Sequence, residues 1–178
     1  MKRGALLLLV LVLAGCGGDK TAKSGCQAFG GGTTARKSTD SPSQTMLLTA
    51  VGTESDACND RISFDFKDAN GAEPGYLVEY RPAEEAQTED ASGNHIPIEG
   101  NAFLVVRFEP AATADISGAK LERTYPGPRT IKPDGMRWVR QVSKTGDFEA
   151  VLTWAIGLSE QRAFKVSSEP SRLTIELG

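Results

Sequence analysis

From residue 45 to the C-terminus, apolar side chains recur at every second position, with almost no sign of the 3.6-residue helical period. Residues 45–52 (TMLLTAVG) open the pattern. In residues 61–66, Ile62, Phe64 and Phe66 fall on one face and Arg61, Ser63 and Asp65 on the other. Residues 75–81 place Tyr76, Val78 and Tyr80 together, and the Asn70-Gly71 pair between these two runs predicts a hairpin with a loop longer than two residues. Residues 102–109 (AFLVVRFE) are apolar nearly throughout, the pattern of a central strand covered on both faces. Residues 137–144 alternate again and are expected to end in a tight turn at Gly146-Asp147. Phe148, Ala150, Leu152, Trp154, Ile156 and Leu158 then share one face of a long strand, and Phe164 with Val166, then Leu173 with Ile175 and Leu177, supply two more. Eight of the nine prolines lie in residues 44–178, mostly between these runs, where no ladder donor is needed. No twelve-residue window carries a helical stripe. One sheet could not bury so many one-sided aromatic faces, so the pattern predicts an all-β domain over residues 44–178, an antiparallel β-sandwich of about eight or nine strands.

The first 43 residues do not share this pattern. Lys2 and Arg3 precede ten residues, 5–14, made only of alanine, leucine and valine. That is half of the roughly 20 needed to span a bilayer as a helix, and it suits a signal-peptide core. Leu13-Ala14-Gly15-Cys16 resembles the bacterial lipobox, which implies a diacylglyceryl group on the Cys16 sulfur and cleavage that leaves Cys16 as the first mature residue. A cysteine suits that role because a thiolate is the side chain most readily alkylated. The expected organisation is a lipoprotein signal peptide at 1–15, a lipidated N-terminus with a flexible Gly/Ser/Thr linker at 16–43, and the sandwich at 44–178. Two acyl chains convert marginal membrane binding into stable anchoring, so the expected location is extracytoplasmic, on a cell membrane.

Charge and cysteine usage refine this picture. The formal net charge is −3 overall, +2 over residues 17–43 and −7 over residues 44–178, a balance that excludes a polybasic nucleic-acid binder. With Cys16 assigned to lipid, Cys26 and Cys58 remain, and in an oxidising exported compartment a disulfide is the expected pairing. Two independent thiols or a metal pair are the alternatives, although no histidine lies near either cysteine to complete a zinc site.

Catalytic chemistry is sparse. His95 is the only histidine and sits in a polar segment, with no G-x-S-x-G elbow elsewhere. Asp68-Ala69-Asn70-Gly71 looks like half a calcium loop, but its first and twelfth ligand positions fall on Phe66 and Leu77, so it reads as a turn. Asp147 and Glu149 could form a carboxylate pair of the kind used in glycoside hydrolysis, but on an exposed strand face they read as solubilising. Glu84, Glu85, Glu89 and Asp90 read as an acidic loop that solvates a strand connection. No catalytic residue, metal site or cofactor is expected. Residues 124–133 (TYPGPRTIKP) stand apart: three prolines, a tyrosine and two basic residues make a stiff loop suited to sugars or peptide carboxylates. The plainer reading of the same segment is a stiff sandwich crossover whose tyrosine covers the edge of the core.

Four stretches, residues 59–66 (NDRISFDF), 74–80 (PGYLVEY), 125–133 (YPGPRTIKP) and 146–158 (GDFEAVLTWAIGL), give the body a resemblance to the AMIN-like domain of exported actinobacterial proteins, a relative of the amidase N-terminal (AMIN) domain. The resemblance implies a two-sheet sandwich and a non-catalytic role in holding envelope proteins at peptidoglycan or at division and secretion sites. No amidase domain is expected after the module. The expectation is therefore a lipid-anchored envelope module that binds peptidoglycan or an envelope protein, with Tyr125, Arg129 and Lys132 as the contact loop and Arg107 as a further contact. The alternative is a carrier that holds a small apolar ligand between its sheets.

Overall fold

The computed structural model describes residues 25–67 and 70–178. The expected signal peptide, the expected lipidation site at Cys16 and the first part of the expected linker lie outside the described residues, as do Asp68 and Ala69.

Eight strands of six or more residues carry the fold: β2 (Met46–Ser55), β3 (Asp60–Phe66), β4 (Tyr76–Arg81), β5 (Ala102–Phe108), β10 (Val139–Phe148), β11 (Val151–Leu158), β12 (Phe164–Glu169) and β13 (Arg172–Leu177). Five two-residue strands complete them: β1 (Arg36–Lys37), β6 (Ala111–Ala112), β7 (Ala114–Asp115), β8 (Glu122–Arg123) and β9 (Thr130–Ile131). One helical turn, α1 (Ala83–Ala86), follows β4. A six-stranded sheet runs β1-β4-β5-β11-β10-β9 and a five-stranded sheet runs β12-β13-β3-β2-β6, with β7 and β8 as a separate pair. Every pairing is antiparallel except β2 with β6.

The predicted sandwich is therefore present, and its core follows from the alternation. Ile62 and Phe64 of β3, Leu173, Ile175 and Leu177 of β13, and Leu104, Val106 and Phe108 of β5 are all fully buried, together with Leu152, Trp154, Ile156 and Leu158 of β11. Phe64 meets Phe108 at 5.0 Å and Trp154 at 5.9 Å between ring centroids, both edge-on. Such aromatic pairs contribute about 0.5–1.5 kcal/mol beyond the area they bury. These rings fill the space between the sheets where an apolar ligand carrier would need a cavity. The prediction that β5 is covered on both faces also holds: Phe103 and Val105 point outward and pack with Ala86, Ile98 and Ala155 under the α1 segment. Gly157 of β11 makes that cover possible, because a Cβ there would sit 2.0 Å from the Glu99 carbonyl oxygen.

Four local expectations are corrected. First, β3 and β4 do not form a hairpin. β3 is paired on both sides by β2 and β13, so the chain beyond Phe66 crosses to the other sheet, where β4 pairs with β5 and β1. Second, the turn between β10 and β11 falls at Glu149-Ala150, not Gly146-Asp147. Both turn residues have positive φ (51° and 59°), as a two-residue type I′ hairpin requires. Gly146 instead lies at a register shift within β10, and Phe148 is exposed rather than part of the core face. Third, the acidic segment is fastened rather than merely solvated: Asp90 accepts a hydrogen bond from Thr153 Oγ1 at 2.6 Å, and Glu89 pairs with Arg129.

Fourth, the described part of the linker, residues 25–43, is attached to the sandwich. Cys26 and Cys58 are joined by a disulfide. β1 pairs with β4, Gly32 bridges Phe164, and the Phe29 ring lies 4.4 Å beneath the Lys165 ammonium. Composition pointed to a flexible linker because Phe29 is its only large apolar residue; the expected disulfide pins part of it to the domain, and backbone pairing supplies further attachment that apolar burial does not.

Asp60 ties the two sheets together at one end. Its fully buried carboxylate accepts Ser55 Oγ (2.7 Å) and the Arg137 amide (3.0 Å) on Oδ1, and the Trp138 (2.7 Å) and Val139 (3.1 Å) amides on Oδ2. Burial alone would raise its pKa. The Ser55 hydroxyl and the three amides outweigh that and hold the carboxyl below the ordinary aspartate value. Asp60 opens β3 in one sheet, and the amides it holds lead into β10 of the other.

Candidate functional site

At the opposite end of the sandwich, the start of β2, the β6–β7 segment, the β7–β8 connection, the loop after β8 and the β10–β11 turn surround an open groove of about 820 Å³. Its floor is a polar network. Thr113 is buried; its amide donates to Asp147 Oδ1 at 3.3 Å and its hydroxyl donates to Asp147 Oδ2. Lys144 Nζ reaches Asp147 Oδ2 at 2.8 Å and Thr113 Oγ1 at 3.2 Å. Beside this floor Arg129 Nε donates to the Lys144 carbonyl at 3.0 Å while the Lys144 amide donates to the Arg129 carbonyl at 2.8 Å, which fixes the loop to the edge of β10.

The rim is apolar. Among the described residues, the large hydrophobic side chains left exposed are Ile116 (77%), Leu121 (69%) and Phe148 (57%), and all three line this groove. Ile116 and Leu121 stand on the connection between β7 and β8; Phe148 stands on the last position of β10, beside the left-handed turn residues Glu149 and Ala150. Positive φ at two non-glycine residues is costly and clusters at functional sites. The charged lining is balanced, with Arg123, Arg129 and Lys144 set against Asp115, Asp147 and Glu149. Lys144 pairs with Asp147, Arg129 pairs with Glu89, and Arg123 makes no ion pair among the described residues. Hydrogen bonds from Ser117, side chain first and then amide, hold Asp115 below the ordinary carboxylate range; bonds from Ser92 and Arg129 do the same for Glu89. The groove thus offers a ligand an apolar clamp together with one guanidinium, Arg123, and two carboxylates, Asp115 and Glu149, that hold no ion pair among the described residues.

The predicted contact residues are only partly brought together. Tyr125 and Arg129 line the groove. Tyr125 is only 5% exposed: its ring packs edge-on against Trp154 at 5.6 Å, its hydroxyl donates to the Pro128 carbonyl at 3.0 Å, and burial pushes its pKa up. Its ring covers the edge of the core and does not stand free as a stacking platform. Lys132 lies outside the groove, paired with Glu99. Arg107 projects from β5 and pairs with Glu109 at 2.8 Å; it lines a smaller neighbouring hollow of about 230 Å³ that shares Phe148 and Glu149 with the groove. His95 is exposed and lines neither. Asp147 is engaged by Thr113 and Lys144, and Glu149 sits in the turn, so they do not form a free carboxylate pair. Among the described residues, no three His, Cys, Asp or Glu side chains are grouped to hold a metal ion.

Sequence reasoning missed Thr113, Ile116, Leu121, Arg123 and Lys144. Ile116 and Leu121 did leave a signal: two large apolar residues flank Ser117-Gly118 and its neighbours in a segment where no alternation needs them.

The two-sheet topology and the groove at one end define the class, an all-β sandwich module with an open ligand-sized surface. A family model for the AMIN-like domain matches residues 46–178, three quarters of the chain, and the chain belongs to that family. Comparison with curated proteins and with solved structures finds no match.

Proposed function

We propose that this protein is a lipid-anchored, non-catalytic module of the bacterial cell envelope, and that its groove binds peptidoglycan. One observation carries the binding site: the exposed large hydrophobics of the described domain stand around a single opening beside Arg123, which makes no ion pair among the described residues. Soluble domains seldom expose apolar side chains together without a ligand to cover them. A peptidoglycan strand matches both parts of the lining. The faces of its sugars and the alkyl portions of its stem peptide suit Ile116, Leu121 and Phe148, and a stem-peptide carboxylate suits Arg123. Family membership and the disulfide support an exported, extracytoplasmic setting.

The anchor is tested by intact-mass measurement of the membrane-extracted protein. A mature chain that begins at Cys16 and carries a diacylglyceryl adduct is expected; an unmodified soluble product refutes the anchor. The groove is tested by pull-down on purified sacculi. Phe148→Ser combined with Arg123→Ala is expected to reduce recovery at least about tenfold, roughly the sum of one lost apolar contact and one lost charge-assisted bond. Equal recovery of variant and wild type removes the groove from the reading. Absence of wild-type binding shifts it to an envelope protein partner.

A further inference from the structure

The strands give the molecule two poles. β2 starts at the groove and ends at Ser55, and β10 starts at Val139 and ends at Phe148 beside the groove. Registers Leu177↔Asp60, Phe164↔Leu177 and Val139↔Leu158 place the start of β12, the end of β13 and the end of β11 at the pole opposite the groove. The N-terminal segment leaves from this same pole, at Cys26, because Cys58 lies in the β2–β3 connection.

Basic side chains collect around that exit. Arg137 and Arg162 flank the half-buried Trp138 ring, at 5.5 and 4.4 Å from its centroid. Arg140 donates to the Arg137 carbonyl at 3.2 Å, and Arg162 Nε donates to the Gly178 carbonyl at 3.2 Å. Phe29, with Lys165 above it, packs over Gly178, and the Arg36 guanidinium reaches Gly32. Acids share this face: Glu160 pairs with Arg162, Asp56 and Glu176 are both bound by Arg61, Glu99 pairs with Lys132, and Asp134 stands in the loop before β10, which leaves Arg137, Arg140 and Lys165 as the cations without an ion pair among the described residues. The basic pole stands out because residues 44–178 carry −7 in total.

We propose that this pole docks on anionic phospholipid headgroups, with Arg137, Arg140, Arg162 and Lys165 as the contacts and Trp138 at the headgroup level. The inference rests on the lipid attachment proposed above. Gly25 stands nine positions after Cys16, a reach of at most about 30 Å. The basic pole is thereby confined within a molecular diameter of the membrane, where its effective concentration is high. An amphipathic indole flanked by guanidinium groups suits the headgroup layer. Docking in this orientation holds the groove on the far side of the domain, turned toward the wall.

The test uses the chain from Cys16 onward. With Cys26 and Cys58 bonded to each other, Cys16 is the free thiol and can be coupled to a maleimide lipid in vesicles. This supplies the attachment whether or not the cell acylates it, so failure of docking and failure of the anchor are separate results. The chain has two tryptophans and Trp154 is fully buried, so a headgroup spin label reports on Trp138. Quenching is expected on vesicles containing phosphatidylglycerol. It should be lost on pure phosphatidylcholine and at about 1 M salt, where the Debye length is about 3 Å. Each basic residue near an anionic surface is worth roughly fivefold in partition, so Arg140→Glu with Lys165→Glu should reduce the docked fraction at least about tenfold. Neither side chain holds an ion pair among the described residues, and the Cys26–Cys58 disulfide keeps the N-terminal segment attached when the Lys165–Phe29 contact is lost; urea denaturation of the variant checks that the domain is still folded. Lys67→Glu, at the groove pole, should leave quenching unchanged. Absence of quenching on anionic vesicles, equal quenching on zwitterionic ones, or no effect of the double reversal overturns the proposal.

Discussion

Replacing Asp60 with alanine is expected to lower the unfolding free energy by about 3–5 kcal/mol, read as a shifted midpoint in urea denaturation followed by Trp154 fluorescence. The magnitude comes from what is left behind. Three backbone amides, those of Arg137, Trp138 and Val139, lose their acceptor in a buried site with no room for bulk water. An unsatisfied buried polar group costs about 1–3 kcal/mol, and breaking a buried charged network commonly costs about 3–5 kcal/mol. An asparagine at this position would not restore the site. Each carboxylate oxygen of Asp60 accepts two hydrogen bonds, at least one of them from a backbone amide, so whichever way the asparagine amide is turned its NH₂ faces a backbone N–H that it cannot accept from; Asp60→Asn is expected to cost about 2–4 kcal/mol. The same residue sets an acid limit. An aspartate in the unfolded chain titrates near about 3.9, and Asp60 in the folded protein titrates lower. The unfolded chain therefore takes the proton first. The contribution of Asp60 is complete above the unfolded value and is lost as pH falls through the folded one. Melting temperatures between about pH 6 and about pH 2.5 should drop more steeply below about pH 4 in the wild type than in Asp60→Asn; parallel profiles would show that the carboxylate is not the group responsible.

Removing the disulfide should cost about as much by a different route. Cys26 and Cys58 are 32 residues apart, and closing a loop of that size restricts the unfolded chain enough to stabilise the fold by about 3–4 kcal/mol. The double variant Cys26→Ser/Cys58→Ser is expected to lose that amount in urea denaturation and, in addition, to become cleavable by protease within residues 25–38 under native conditions. Without the bond that stretch is held by the two-residue β1 pairing, the Gly32–Phe164 bridge and the Phe29–Lys165 contact. A loss below about 1 kcal/mol with protease resistance intact would show that these contacts suffice alone.

How far the sequence could be read depended on whether the information was local. Strand identity was legible because each strand carries its own period of two, and β5 could be read as doubly covered because Phe103, Val105 and the residues between them are all apolar. Asp60 was legible in principle: extending the Ile62-Phe64-Phe66 face back one step puts a carboxylate on the inward side, which is a request for buried donors. Sheet membership was not legible. Nothing in residues 60–81 says that β3 is saturated by β2 and by β13 more than a hundred residues later, so the hairpin through Asn70-Gly71 was the natural inference and the wrong one. The turn was misplaced because Gly146-Asp147 carries turn chemistry and Glu149-Ala150 does not; pairing of Phe148 with Val151 forces the latter pair into the left-handed region. The groove was the least visible feature. Its lining comes from residues 44–47, 112–129 and 144–150, which converge only when both sheets are closed. Tyr125 borders that region, but the core claims its ring.

The outermost strands have one more implication. Of the four lateral margins of the two main sheets, three end in strands of two residues, β1, β9 and β6. The fourth, β12, has Gly32 bridged to Phe164 at its start and exposes Lys165, Ser167 and Glu169 along its length. Short margins and outward charges deny a neighbouring molecule a template for strand addition. Copies crowded side by side should therefore remain separate molecules and not polymerise into fibrils.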